Sequence, residues 1–190
     1  MQLCAVFTKG DLADLVGEIA PFEVELGRRP RRAVSLGAPS LVELVPGAGL
    51  RVRGDARLAW DALGMTIPVV VRRWQVLLAP HVVRDEGVLA LAFDPRLEAL
   101  ELGSGPGIVS DTIAQAVHTG LVAQKKKLVW AFGRTLAVRK TLPERVQPPT
   151  RFDLAPTDAD VEVTESELRL TLRFEASFVR LPTLAERRSA

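Results

Sequence analysis

The chain has 190 residues, of which 47% are hydrophobic but only 5% aromatic, and it contains no tyrosine. Its 25 basic and 23 acidic residues are spread evenly, with 12 basic and 13 acidic over residues 1–106 and 13 and 10 over 107–190. This excludes a disordered chain and a nucleic-acid footprint, and no run approaches the ~20 apolar residues that a membrane-spanning helix needs.

In chain order, Thr8 and Asp11 form a T-x-x-D start signal, and Leu12, Leu15, Val16 and Ile19 then recur at helical spacing. The pattern predicts a short helix over 9–19, stopped by Pro21. Phe22, Val24 and Leu26 alternate with Glu23 and Glu25 as a strand, ended by Gly27 and the Arg-Pro-Arg loop. Val34–Leu36 and Leu41–Val45 read as two more short strands. From 50 to 60, small or apolar residues (Leu50, Val52, Gly54, Ala56, Leu58, Trp60) alternate with a mostly charged set, so this strand has one dry and one wet face. A β-rich run from Thr66 to Leu78 follows, with Pro68 marking an edge or bulge at its start. Asp85-Glu86-Gly87 is a turn, and strands over 88–93 and 97–102 follow it, separated by Asp94-Pro95.

After Gly103-Ser104-Gly105-Pro106-Gly107 the period lengthens. Ser110 and Asp111 suit a helix start, and Ile113, Val117, Leu121, Leu128, Phe132 and Leu136 follow at helical steps. Unbroken over 109–140, such a helix would be about 45 Å long. Gly120 and Gly133 are positions where it could bend, and Lys125-Lys126-Lys127 could mark where it leaves the sheet. A hairpin closes the chain: Val161 and Val163, a turn at Glu165-Ser166-Glu167, then Leu168, Leu170, Leu172 and Phe174 alternating with Arg169, Thr171, Arg173 and Glu175.

These one-sided strands must bury their dry faces, and the long helix is the only partner of sufficient length. The expected fold is α+β: a long, strongly curved antiparallel sheet wrapped around one long helix in the C-terminal half, with a short N-terminal helix. It forms one domain over 1–186 with a frayed tail at 187–190. Three segments carry a family likeness: TKGDLADLVGEIAPFEVEL, GLRVRGDARLAWDALGMTIPVVVRRWQVLLAPHVV, and SDTIAQAVHTGLVAQKKKLVWAFGRTL with VEVTESELRLTLRFEASF. Their order resembles the tubular lipid-binding superfamily of bactericidal permeability-increasing-like and synaptotagmin-like mitochondrial lipid-binding domains. The resemblance covers most of the chain as pattern, not as fixed motif. It implies an apolar groove between helix and sheet that holds acyl chains.

No residue set supports an enzyme. Only His81 and His118 are present, no metal-ligand spacing occurs, Cys4 is single and reads as a small core residue, and Ser104 in LGSGPG does not match G-x-S-x-G. The reading is non-enzymatic binding, with transport as an extension, of a lipid or other hydrophobic ligand and with no cofactor or metal. Candidate lining residues are Val69, Val71, Leu89, Leu91, Leu121, Leu128, Phe132, Leu170, Leu172 and Phe174. Arg28, Arg29, Arg31, Arg32, Lys125, Lys126 and Lys127 are candidates for anionic head groups, a membrane surface or a protein partner. The alternative is a solidly packed interaction module that binds a partner, or a second copy in a homodimer, through strand edges or basic clusters. No signal peptide is visible, which places the chain in the cytoplasm as written, or at the envelope if a signal was trimmed.

Overall fold

A computed structural model describes the backbone at residues 1–19, 22–25, 33–62, 65–103, 107–123, 125–143 and 145–182, and the side chains at the same positions except 19, 22–25, 33–38, 57–62, 65–70, 107–110, 112 and 127. The elements are β1 (Gln2–Thr8), α1 (Lys9–Ile19), β2 (Phe22–Glu25), β3 (Ala33–Val45), β4 (Gly49–Ala62), β5 (Met65–Asp85), β6 (Val88–Leu102), α2 (Gly107–Ala123), a 3₁₀ turn (Lys125–Leu128), β7 (Val129–Trp130), α3 (Phe132–Thr135), β8 (Val138–Thr141), β9 (Thr150–Val163) and β10 (Glu167–Arg180). They build two antiparallel sheets, a larger one ordered β2-β3-β4-β5-β6-β7 and a smaller one ordered β1-β10-β9-β8.

Local chemistry explains many boundaries. At the start of α1, Thr8 N–H and Oγ1–H donate to Asp11 Oδ2 at 2.8 and 2.7 Å, and Asp11 N–H donates back to Thr8 Oγ1 at 3.3 Å. This reciprocal cap satisfies donors that a helix start leaves open, and it holds the Asp11 carboxyl below its ordinary range. Glu86 and Gly87, with φ of 48° and 80°, make the tight turn between β5 and β6. The strand pairs predicted around Pro39 and around Asp94-Pro95 are each one continuous strand, β3 and β6. The β3–β4 ladder absorbs Pro39 with register shifts on either side of it. On β6, β7 pairs only with Leu91 and Ala92, so Pro95, although buried, lies beyond the β7 ladder, where a missing N–H is tolerated. Pro68 also lies at an edge, because β6 pairs with β5 only from Val71 onward.

The expected long helix is not there, and one curved sheet around it is not the fold. Helix α2 has 17 residues and stops at Ala123, before the three lysines. The apolar positions beyond it keep helical spacing but serve other elements. Val129 and Trp130 pair with Ala92 and Leu91 on the open edge of β6. β-Branched and aromatic side chains suit that edge, and pairing satisfies backbone groups which a continued helix would leave exposed. Phe132 then enters the core in α3, at 0% exposure. Gly133 permits this: a Cβ there would lie 2.8 Å from Val88 Cγ1 and 2.9 Å from both Leu89 N and O. The connection 129–141 thus carries the chain from the larger sheet to the smaller one.

β1 is a further difference. Its residues Leu3, Ala5 and Phe7 face inward with Leu172, Leu170 and Leu168, while Cys4 pairs with Thr171 on the opposite face and is exposed. Cys4 is therefore not a core residue, because the strand around it was hidden in a sequence apolar on both faces.

Three apolar clusters hold the layers together. In the first, Ile113, Val117 and Leu121 of α2 pack on Val52, Val71, Trp74 and Val76 of the larger sheet. Trp74 keeps its polar edge satisfied by donating Nε1–H to the Asp55 carbonyl at 2.9 Å. In the second, Leu170, Leu172 and Phe174 of β10 pack on Leu89, Leu91 and Phe132. In the third, Leu12 of α1 joins Val42 and Leu50 to Val163 and Leu168.

Candidate ligand-binding face

The predicted lining residues converge, but into packed core. Leu89, Leu91, Phe132, Leu170, Leu172 and Phe174 form the inter-sheet cluster, and Val71 and Leu121 belong to the helix-on-sheet cluster. Leu128 is half-buried in the 3₁₀ turn, and the Val69 side chain lies outside the described residues. Arg28, Arg29, Arg31 and Arg32 also lie outside them, as do Ser104 in the glycine loop and the side chain of Lys127. Lys125 and Lys126 are exposed and edge a cleft of about 590 Å³ with His81, Val83, Asp94 and Val129. In that cleft His81 Nδ1 stands 3.7 Å from Asp94 Oδ2. His118 is exposed on α2.

The open apolar surface lies elsewhere. Side chains of a strand alternate between faces, so even-numbered residues of β10 share the inner face. Along that face Leu168, Leu170, Leu172 and Phe174 are at most 8% exposed, whereas Phe178 is 69% exposed. The register continues the face across the sheet. Val138, Leu154 and Ala176 form one cross-strand row, and Lys140, Phe152 and Phe178 form the next. The rings of Phe152 and Phe178 lie 5.4 Å apart. Val138 is 45% exposed. On this part of the inner face, over β8 and the distal halves of β9 and β10, Val138, Ala176 and Phe178 are exposed, while Phe152 and Leu154 between them are half-buried and Leu154 packs on the inter-sheet cluster.

The other face of the same strands is charged and internally paired. Arg151 donates Nε–H and Nη2–H to Asp153 at 2.8 Å each, and Arg139 stands 3.5 Å from the same carboxylate. The Arg151 hydrogen bonds hold the Asp153 carboxyl below its ordinary range. Further along, Arg173 meets Asp158 at 2.9 Å. The arginines Arg139, Arg151 and Arg173 of the outer face are thus paired within the sheet. On the distal inner rows the only charged residues are Lys140 and Arg180.

Sequence reasoning missed Val138, Lys140, Phe152, Leu154 and Phe178. A signal was present, since the alternation of β10 runs on past Phe174 through Ala176 to Phe178, and Phe152 and Leu154 alternate with Arg151 and Asp153.

No protein-family model and no curated protein matches this chain. Among solved structures it is similar to a crystal structure of lipopolysaccharide binding protein, at 12% identity and a TM-score of 0.38, over 97% of this chain and 52% of that one. The chain therefore spans about half the length of that protein. The likeness to the tubular lipid-binding superfamily remains a reading of sequence pattern.

Proposed function

We propose that the protein is a binding protein for a lipid or other hydrophobic ligand, not an enzyme, and that the ligand lies on the uncovered inner face of the smaller sheet. One observation carries this reading: the apolar alternation of β10 continues after its cover ends, between Phe174 and Phe178. An apolar sheet face left in water costs free energy in proportion to its area. A bound acyl chain or comparable apolar group removes that cost. The groove first expected between helix and sheet is not proposed, because no long helix exists to form it.

Native mass spectrometry of protein purified from cells without detergent tests the reading. Wild-type protein should carry co-purified lipid, and Phe178→Ser should lose it while keeping its far-ultraviolet circular dichroism. Ligand-free wild-type protein that also takes up no added fatty acid or phospholipid overturns it.

A further inference from the structure

We infer that the ligand of this face is a single amphiphile with an anionic head group, its head at Lys140 and its chain running over Phe152, Phe178 and Leu154 toward the packed core. The inference rests on the lipid-binding reading above and specifies its ligand class.

The face has a polarity along the strands. Next to the core, at Phe174 and Pro156, it is apolar. The next row, Val138-Leu154-Ala176, is also wholly apolar, with Leu154 packed on the core and Val138 and Ala176 exposed. Lys140 enters in the second row, beside Phe152 and Phe178. Arg180, opposite Thr150, stands in the third. No carboxylate lies in these rows; the nearby Asp153 and Glu175 occupy the other face. Asp153 is moreover engaged by two arginines there.

Lys140 differs from the arginines around it. Arg139, Arg151 and Arg173 each have a carboxylate within 4.0 Å, whereas Lys140 has no ion pair among the described residues. A lysine that lays its stem along an apolar surface and keeps its ammonium at the rim is suited to hold an anion there. From the Phe178 row to Phe174 is four residues, about 13 Å at ~3.3 Å per residue. A medium-length acyl chain laid along the strands spans that distance, with its head at the basic end and its tail at the core rim.

The test is calorimetric titration of the full chain with dodecanoate, dodecanol and dodecyltrimethylammonium, each below its micelle concentration, for wild type, Lys140→Gln, Lys140→Glu and Phe178→Ser. Wild type should bind dodecanoate about threefold to fivefold more tightly than dodecanol, the range of an exposed ion pair, and the ammonium probe most weakly. Lys140→Gln should bring dodecanoate and dodecanol together, and Lys140→Glu should reverse the order of the charged probes. Phe178→Ser should weaken all three. Equal binding of the three probes by wild type, or an order that both Lys140 variants leave intact, overturns the head-group assignment and leaves the lipid reading standing. No binding of any probe overturns the lipid reading itself. Binding to vesicles containing phosphatidylglycerol without binding of monomeric dodecanoate replaces the single amphiphile with a bilayer surface, and so overturns the inference.

Discussion

Phe174 and Phe178 sit on one strand, on one face, four residues apart, and they should respond unequally to truncation. Phe174 is 8% exposed and packs against Leu89, Leu91 and Phe132. Phe174→Ala removes a buried ring and leaves a cavity, which costs about 3–5 kcal/mol. Phe178 is 69% exposed, so about a third of its surface is buried. A fully buried Phe side chain contributes up to ~3 kcal/mol, so a third of that is about 1 kcal/mol. The tilted ring contact with Phe152 adds roughly 0.5 kcal/mol at such an open site. Phe178→Ala should therefore cost about 1.5 kcal/mol, at most half the effect of Phe174→Ala.

Urea unfolding followed by circular dichroism measures both. With a slope of about 2 kcal/mol/M, the midpoint should fall by roughly 1.5–2.5 M for Phe174→Ala and by less than ~1 M for Phe178→Ala. The Phe178→Ala variant should stay folded in the absence of urea and yet lose hydrophobic ligand. Equal losses of stability would refute the reasoning, because they would mean that Phe178 is covered in solution. If that cover were a second copy of the chain, the Phe178→Ala midpoint would also depend on protein concentration.

Four other substitutions probe the frame that presents this face. Gly49 has φ of 143°, and a Cβ there would lie 2.2 Å from the Leu78 carbonyl oxygen, whereas Gly47, at φ of 67°, has open space around it. Gly49→Ala should cost at least ~2 kcal/mol and Gly47→Ala about 1 kcal/mol, read as the difference between their thermal midpoints. Gly133→Ala should push α3 off β6 and cost about 1–3 kcal/mol, with a change in tryptophan emission because Trp130 stacks edgewise on Phe132 at 5.8 Å. Glu98 accepts hydrogen bonds from Arg51 at 2.7 and 3.1 Å and from Gln75 at 2.6 Å, and the Arg51 bonds hold its carboxyl below the ordinary value. Its contribution is then complete above the unfolded pKa of about 4.3 and is lost as pH falls through the lower folded value. Glu98→Gln should flatten the acid side of a stability profile measured from pH 6 to 3, and an unchanged profile would exclude this pair as a source of acid sensitivity.

What could be read from the sequence was local. The Thr8–Asp11 cap marked the start of α1, and the alternation at Leu50–Ala56 named the buried face of β4 correctly. The turn at Glu86-Gly87 and the hairpin ending in Phe174 were equally plain. What could not be read depended on distant partners. Helical spacing through Phe132 and Leu136 is real, but it competes with the edge of β6, and that edge lies about 40 residues earlier in the chain. β1 escaped notice because Cys4 and Val6 are as apolar as Leu3 and Phe7, which blurs the period. The candidate face was legible as pattern and illegible as exposure, since alternation says which residues share a side but not what lies opposite.

What lies opposite can be followed along the smaller sheet from one end to the other. At Leu168 and Val163 the inner face is covered by Leu12 of α1 with Val42 and Leu50. At Leu170, Leu172 and Phe174 it is covered by Leu89, Leu91 and Phe132. Beyond Phe174 that cluster reaches only Leu154, and Ala176 and Phe178 are exposed. The reason is the length of α2: a helix that stops at Ala123 spends its apolar side on Val52, Val71, Trp74 and Val76 and leaves none for the smaller sheet. The residues after it supply Phe132, with Leu136 packed beside it, before the chain becomes strand again at Val138. An aliphatic composition that promised one shared axis is instead consumed layer by layer, and the surplus falls at the end of β10. A ligand therefore has its natural place where the layers run out, on Phe152 and Phe178, and not between a helix and the sheet that already bury each other.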